Sequence, residues 1–400
     1  MSAIKYWLWL SSATGASERA RAALIDYYGD AEAAYFAPAG EFAKIKNITK
    51  RDADILERRD MSAVPMISEH CEKNGISIIT YQDALYPARL RNIFAPPAVL
   101  YVKGKLPPVD ERAAIAVIGT RSATPYGLKM SRRIACEIIS CGGMVVSGLT
   151  GGIDSSALNA ALAMGGECIA VLGTAHEAEN SPLACEIGEK GALISEYPPG
   201  TKTQRSYFRA RNRITSGLSV GVCAVEAPEK SGTALFIMEA AEQGKDIFAV
   251  PGNADAENSM GTNGFIKDGA KPVTSGWDIL CEFEGKYEVS LQPCLIPHVP
   301  ITPMDISEKT PAVSGNIHQK AVDKAENTGY IDLTEIMDLL PEDQKKIVSA
   351  VNRDAVLTDE IIASTGLSAA RVLSQLTVLE IKGIIKRLPG GRISINTLKK

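Results

Sequence analysis

Ala114-Ile-Ala-Val-Ile118 is five apolar residues in a row, and it stops at Gly119-Thr120-Arg121. From Tyr126 to Cys141 the apolar residues then recur every third or fourth position. A short apolar run, a glycine turn and an amphipathic helix make one strand–helix unit. The unit repeats along the chain. Further strands are expected at Met144–Ser147, Cys168–Leu172, Ala192–Ser195, Val220–Val225 and Asp246–Val250. Further helices are expected at Ser155–Ala163, Leu183–Glu189, Thr233–Gln243 and Gly264–Asp268. Near-continuous apolar strands alternating with amphipathic helices imply a parallel sheet covered on both faces. The expected fold class is α/β: a Rossmann-like doubly wound parallel sheet over residues 113–282.

Residues 1–65 read as a small helical domain of the SAM or helix-hairpin-helix kind. Ser17 is placed to N-cap a helix through Ala20, Ala23, Leu24 and Tyr27, which Gly29 stops. A second helix spans Asp30–Phe36, and a third lies near Asp52–Arg59. A packing appendage is favoured here over independent DNA binding. Residues 66–112, with strands at 76–80 and 98–102, read as an extension leading into the core.

Residues 283–340 read as a linker with a short helix at Leu333–Leu340; between 281 and 340 ten acidic residues face four basic ones. Residues 341–400 read as a winged helix-turn-helix. One helix carries Ile347, Val348 and Val351, and a second starts at Thr358. A third starts at Ser368 and carries Val372, Leu373, Leu376, Leu379 and Ile381. A hairpin over 384–388 and 392–395 follows. Ten basic against six acidic residues suit duplex DNA or a protein contact.

Composition excludes several classes. The 400 residues are 45% apolar and 22% charged, which fits two or three globular domains. The net charge of −4 carries no global nucleic-acid signature, so any such signature is local. No apolar run approaches the roughly 18 residues of a membrane span, and Tyr6–Leu10 is too short for a secretory leader. Eight cysteines without a CxxC pair read as thiols in a reducing cytoplasm. Four histidines without ligand spacing argue against a metal site.

Ligands of open α/β sheets sit beyond the carboxyl ends of the strands, so those loops define the candidate site. The first, Gly119 to Gly127, is not G-x-G-x-x-G, and no dinucleotide cofactor is expected. Its backbone amides and Arg121 suit a phosphate, or Arg121 pairs with a carboxylate. The second, Ser147-Gly148-Leu149-Thr150-Gly151-Gly152-Ile153-Asp154, suits an anion at a helix start, with Asp154 read as the N-cap. Lys202–Arg213 holds five basic residues and two aromatics, Tyr207 and Phe208, with no acid. Cations track a phosphate backbone and an aromatic face stacks on bases; the alternative is a solvated basic loop. Ser231-Gly232-Thr233 begins a helix as a phosphate cradle. Gly252 and Asn263 line the same edge. None of these loops offers a nucleophile with a base, a carboxylate dyad or a metal cluster, so the site is expected to hold phosphates and not to break bonds.

Together these residues resemble the DprA/Smf family of DNA-processing proteins. The resemblance runs over about residues 75–282. It is carried by Tyr86-Pro87…Pro97…Leu100-Tyr101…Gly104, Val117-Ile118-Gly119-Thr120-Arg121 and Val146-Ser147-Gly148-Leu149…Gly152-Ile153-Asp154. It continues in Ser195-Glu196-Tyr197-Pro198-Pro199-Gly200, Phe208…Arg211-Asn212-Arg213-Ile214, Pro251-Gly252 and Gly261-Thr262-Asn263. It implies a cytoplasmic, non-enzymatic protein without cofactor that binds single-stranded DNA, forms a homodimer through its Rossmann-like domain and hands DNA to a RecA-type recombinase during natural transformation. The residues it implies for the DNA pocket are Gly119, Thr120, Arg121, Ser147, Gly148, Phe208, Arg211, Asn212 and Arg213. Two places depart from the family pattern. Gly151 stands where the family carries Arg, and Leu158 where it carries His. The loop 173–183 is several residues shorter, without Tyr-Pro or Lys, so Lys202 or Arg205 would supply the missing basic contact. Two other classes compete. One is a nucleotide phosphoribohydrolase of the lysine-decarboxylase-like type, echoed by Gly232-Thr233…Glu239. The other is a ligand-sensing regulator that reads DNA through the winged helix.

Overall fold

The structure is a computed structural model that describes residues 3–287, 289–294, 341–351 and 356–369, with shorter stretches up to 395. The chain forms two units, Met1–Pro303 and Met304–Lys400. The expected helix at Leu333–Leu340 lies outside the described residues.

The first unit is built on one nine-stranded sheet in the order β1-β2-β6-β5-β4-β3-β7-β8-β9. Its strands are β1 (Ile76–Thr80), β2 (Val99–Gly104), β3 (Ala114–Ile118), β4 (Met144–Ser147), β5 (Cys168–Leu172), β6 (Ala192–Ser195), β7 (Gly221–Ala224), β8 (Asp246–Ala249) and β9 (Lys271–Pro272). From β6 to β9 every pairing is parallel. The chain winds from β3 out to β6, then returns to lay β7 on the other side of β3. That reversal opens a crevice between the loops that follow β3 and β7.

The sheet expected over 113–282 is parallel throughout that range. The two strands expected in the stretch leading into it extend the same sheet: β2 joins β6 antiparallel and β1 joins β2 antiparallel, which covers the polar edge that β6 would otherwise leave bare.

Side chains of β3 alternate as the two-residue period requires. Ile115 and Val117 pack with Ile134 and Ile138 of α7 (Pro125–Ser140) and Ala157, Leu158 and Ala161 of α8 (Gly152–Ala163). Ala116 and Ile118 face Phe236, Ile237 and Ala240 of α11 (Gly232–Glu242). Ile214 and Leu218 of α10 (Arg205–Leu218) cover the same side of the sheet over β4 and β5. α10 is not among the expected helices, because its apolar face is sparse and interrupted by the buried polar run Arg211-Asn212-Arg213. The helix expected at Gly264–Asp268 is longer, α12 (Glu257–Lys267); the glycines and hydroxyls of 259–264 hide its start.

The N-terminal helices are α1 (Ile4–Ser12), α2 (Glu18–Tyr28), α3 (Ala31–Tyr35), α4 (Lys50–Leu56) and α5 (Val64–Lys73). Ser17 caps α2 by accepting from Ala20 N at 3.2 Å, and Gly29 ends it at φ 73°. Trp7, Trp9, Leu24 and Leu56 share one core with Ile76, Val99 and Tyr101, so these helices pack directly on β1 and β2. Among the described residues no helix is long and apolar enough to cross a membrane.

The second unit has the winged-helix arrangement. Glu342–Ala350 is helical, and a helix over Thr358–Thr365 ends at Gly366 with φ 66°. Ile385–Leu388 and Arg392–Ile395 form the wing hairpin, and Val356–Leu357 adds a third strand beside Arg392–Ile393. Ile347, Val351, Ile361, Val372, Leu376, Leu379, Ile385 and Ile393 make its core.

Candidate nucleic-acid interface

A cleft of about 440 Å³ occupies the crevice where the strand order reverses. One wall is the loop after β3, with Gly119, Thr120 and Arg121. The second is the loop after β4, with Gly148, Thr150 and Asp154. The third is α10, and the fourth is the start of α11, with Ser231, Gly232 and Thr233. On α10 the residues Arg205, Phe208, Arg209 and Asn212 follow i, i+3, i+4, i+7 spacing, so they form one stripe, and all line the cleft.

Arg121 is exposed, and its guanidinium stands 5.7 Å from the Phe208 ring centroid. It forms none of the ion pairs found among the described residues, so the carboxylate-partner alternative does not hold. A cation over an aromatic face at the mouth of a cleft offers a phosphate contact and a stacking surface together.

Arg211 is different. It is 4% exposed and donates from Nη1 to Val171 O at 2.9 Å. Its guanidinium lies where a Cβ on residue 148 would stand, which explains Gly148. Burial lowers the Arg211 pKa, and Asp154 is the main influence in the other direction. Asp154 is itself buried, which raises its pKa against the opposing pull of Arg211. Asp154 is not the helix N-cap expected from the sequence. Gly151, at φ 89°, holds that position. Asp154 sits on the third helical residue and accepts from Gly119 N at 3.3 Å and Thr150 Oγ1 at 2.8 Å, tying the first two loops together.

Several expected site residues lie outside the cleft lining. Ser147 is fully buried and donates to Val117 O at 2.6 Å, which ties β4 to β3. Arg213 pairs with Glu196 at 2.7 Å, both nearly inaccessible. Gly252 and Asn263 bond each other, at 3.2 and 3.1 Å, and close the loop after β8. Lys202 is exposed but stands before α10 and off the lining. Ser231 lines the cleft and also caps α11, accepting from Ala234 N at 3.2 Å. Of Lys202 and Arg205, Arg205 lines the cleft. The loop after β5 turns His176 inward to Tyr101 O at 2.9 Å.

Sequence reasoning missed Glu226. It is buried at the end of β7 and accepts from Thr124 N at 2.9 Å and from the Thr124 hydroxyl, holding the start of α7 against the second half of the sheet. Its place after an apolar strand was the available signal.

With this geometry in hand, comparison with known proteins is specific. Residues 77–284 match the family model for DNA recombination-mediator protein A, and residues 338–391 match the DprA winged helix domain. Protein Smf of Synechocystis is 31% identical over 359 residues, covering 84% of each chain. DNA processing protein DprA of Bacillus subtilis is 37% identical over 223 residues, 55% of this chain and 75% of that one. The X-ray structure of DNA processing protein A from Streptococcus pneumoniae superposes with a TM-score of 0.60 at 31% identity, covering 71% of this chain and 99% of that one.

Proposed function

The chain belongs to the DNA recombination-mediator protein A (DprA/Smf) family of DNA-processing proteins, and from that premise we propose that its cleft binds single-stranded DNA. The observation that carries the reading is the Arg121–Phe208 pair with Arg205 and Arg209 beside it on one stripe of α10. Unpaired cations next to an aromatic ring suit a phosphate backbone with unstacked bases and no sequence preference. The first turn of α11 adds backbone amides that a helix leaves without partners.

The full reading is a DNA-binding protein of the cytoplasm, without catalytic residues or cofactor, that acts as a homodimer. It protects incoming single strands and loads a RecA-type recombinase on them during natural transformation and recombination. Glu239, the carboxylate a phosphoribohydrolase would need, is half-buried on α11 and does not line the cleft. Asp154, which does, is committed to Gly119 N and Thr150 Oγ1. Fluorescence anisotropy with labelled oligothymidine against a labelled duplex tests the reading. Tight binding of the single strand without release of free base from nucleoside monophosphates supports it. Preference for a duplex of particular sequence supports the regulator instead.

A further inference from the structure

α10 carries the ligand-facing stripe and, one turn beyond Arg209 at the edge of that stripe, a buried ionic contact. Arg213 lies about 40° round the helix from Arg209, off the cleft lining, and its Nη2 donates to Glu196 Oε1 at 2.7 Å. The same oxygen meets Arg21 Nη2 of α2 at 3.5 Å. All three side chains are 7% exposed or less. Both cations converge on one oxygen, and Glu196 Oε2 has no partner. Next to Glu196, the Tyr197 ring stacks on Tyr207 of α10 with centroids 4.0 Å apart and planes at 19°. Arg21 also donates from Nη1 to Ala13 O at 3.4 Å, in the turn between α1 and α2.

A buried carboxylate is tolerated only while cations compensate it. Here one cation comes from the strand-binding helix and the other from the N-terminal helices. The contact therefore fixes the rotation of α10 by a route that runs outside the cleft. Neither Arg21 nor Glu196 lines the cleft. We propose that Glu196, bridging Arg213 and Arg21, is a positioning residue for the strand-binding stripe of α10, so that the N-terminal helices set how firmly the cleft holds its ligand. This rests on the single-stranded DNA reading above.

The test uses the full chain, with Arg21→Met, Arg21→Lys as the conservative variant, and Leu56→Ala as a control that loosens the helical core away from the contact. Two quantities are read: oligothymidine affinity across a salt series, and hydrogen exchange of the α10 amides without DNA. Arg21→Met is expected to bind about tenfold more weakly, a loss of ~1.4 kcal/mol, with faster exchange over 205–213. The slope of log affinity against log salt stays unchanged, because no phosphate contact is lost. Arg21→Lys recovers most of the affinity, and Leu56→Ala keeps it in the folded protein. Wild-type affinity in Arg21→Met overturns the proposal. So does a shallower salt slope, which would mean that Arg21 touches the strand, or an equal loss in Leu56→Ala. If Arg21→Met does not fold, Glu196→Gln carries the same test. A wild-type chain that binds no strand, with the exchange change still present, removes the DNA reading and leaves the positioning of α10 standing.

Discussion

Arg209 and Arg213 are four residues apart in one helix and one basic stretch, yet they do opposite things. Arg209 is exposed and lines the cleft; Arg213 is buried and neutralised by Glu196. Arg121 and Arg211 repeat the contrast, one open over Phe208 and the other buried with its Nη1 given to Val171 O. Counting the charge of a segment therefore overstates what a ligand meets. Open cations govern affinity and its salt dependence, while buried ones govern stability and geometry.

The contrast breaks most visibly on the buried side. Arg213→Met leaves Glu196 buried with only the longer contact to Arg21, and should cost about 3–5 kcal/mol in urea unfolding. Gly148→Ala places a methyl into the Arg211 guanidinium. Overpacking of this kind should cost about 1–3 kcal/mol, read as a lower unfolding midpoint, and should weaken binding as well because residue 148 lines the cleft. On the open side, Arg121→Ala should leave stability within about 0.5 kcal/mol of wild type and weaken oligothymidine binding by about 1–3 kcal/mol. The smallest effect is expected from removing the second unit. Leu291 belongs to the core of the first unit and Gln292 N bonds Cys141 O at 3.2 Å, so a chain ending at Cys294 should fold. Anisotropy should place its affinity within about tenfold of the full chain, or ~1.4 kcal/mol. A hundredfold loss in a well-folded protein would move the principal site to the winged helix.

How far this was legible from the sequence follows from the range of each interaction. The parallel strands and the cap at Ser17 are local patterns of a few residues, and they read correctly. The antiparallel placement of β2 on β6 is not local. Residues 99–104 show a strand but not which edge it meets. α10 escaped because periodicity counts apolar residues, and this helix buries arginines and an asparagine instead. Arg213 read as a ligand contact because its partner stands 17 residues earlier, in a stretch that looks like a turn. Asp154 read as a cap because the true cap, Gly151, uses backbone conformation and no side-chain bond.

The central claim is that the cleft at the strand reversal holds a single strand through its open cations. The most direct test is the salt dependence of oligothymidine binding by the wild-type chain and Arg121→Ala, in the same buffer series. A linear fall of log affinity with log salt is expected, with a slope near −0.7 for each phosphate neutralised, made shallower by about one such increment in Arg121→Ala. A flat salt response in the wild-type chain, or a slope and affinity unchanged by Arg121→Ala, would contradict it.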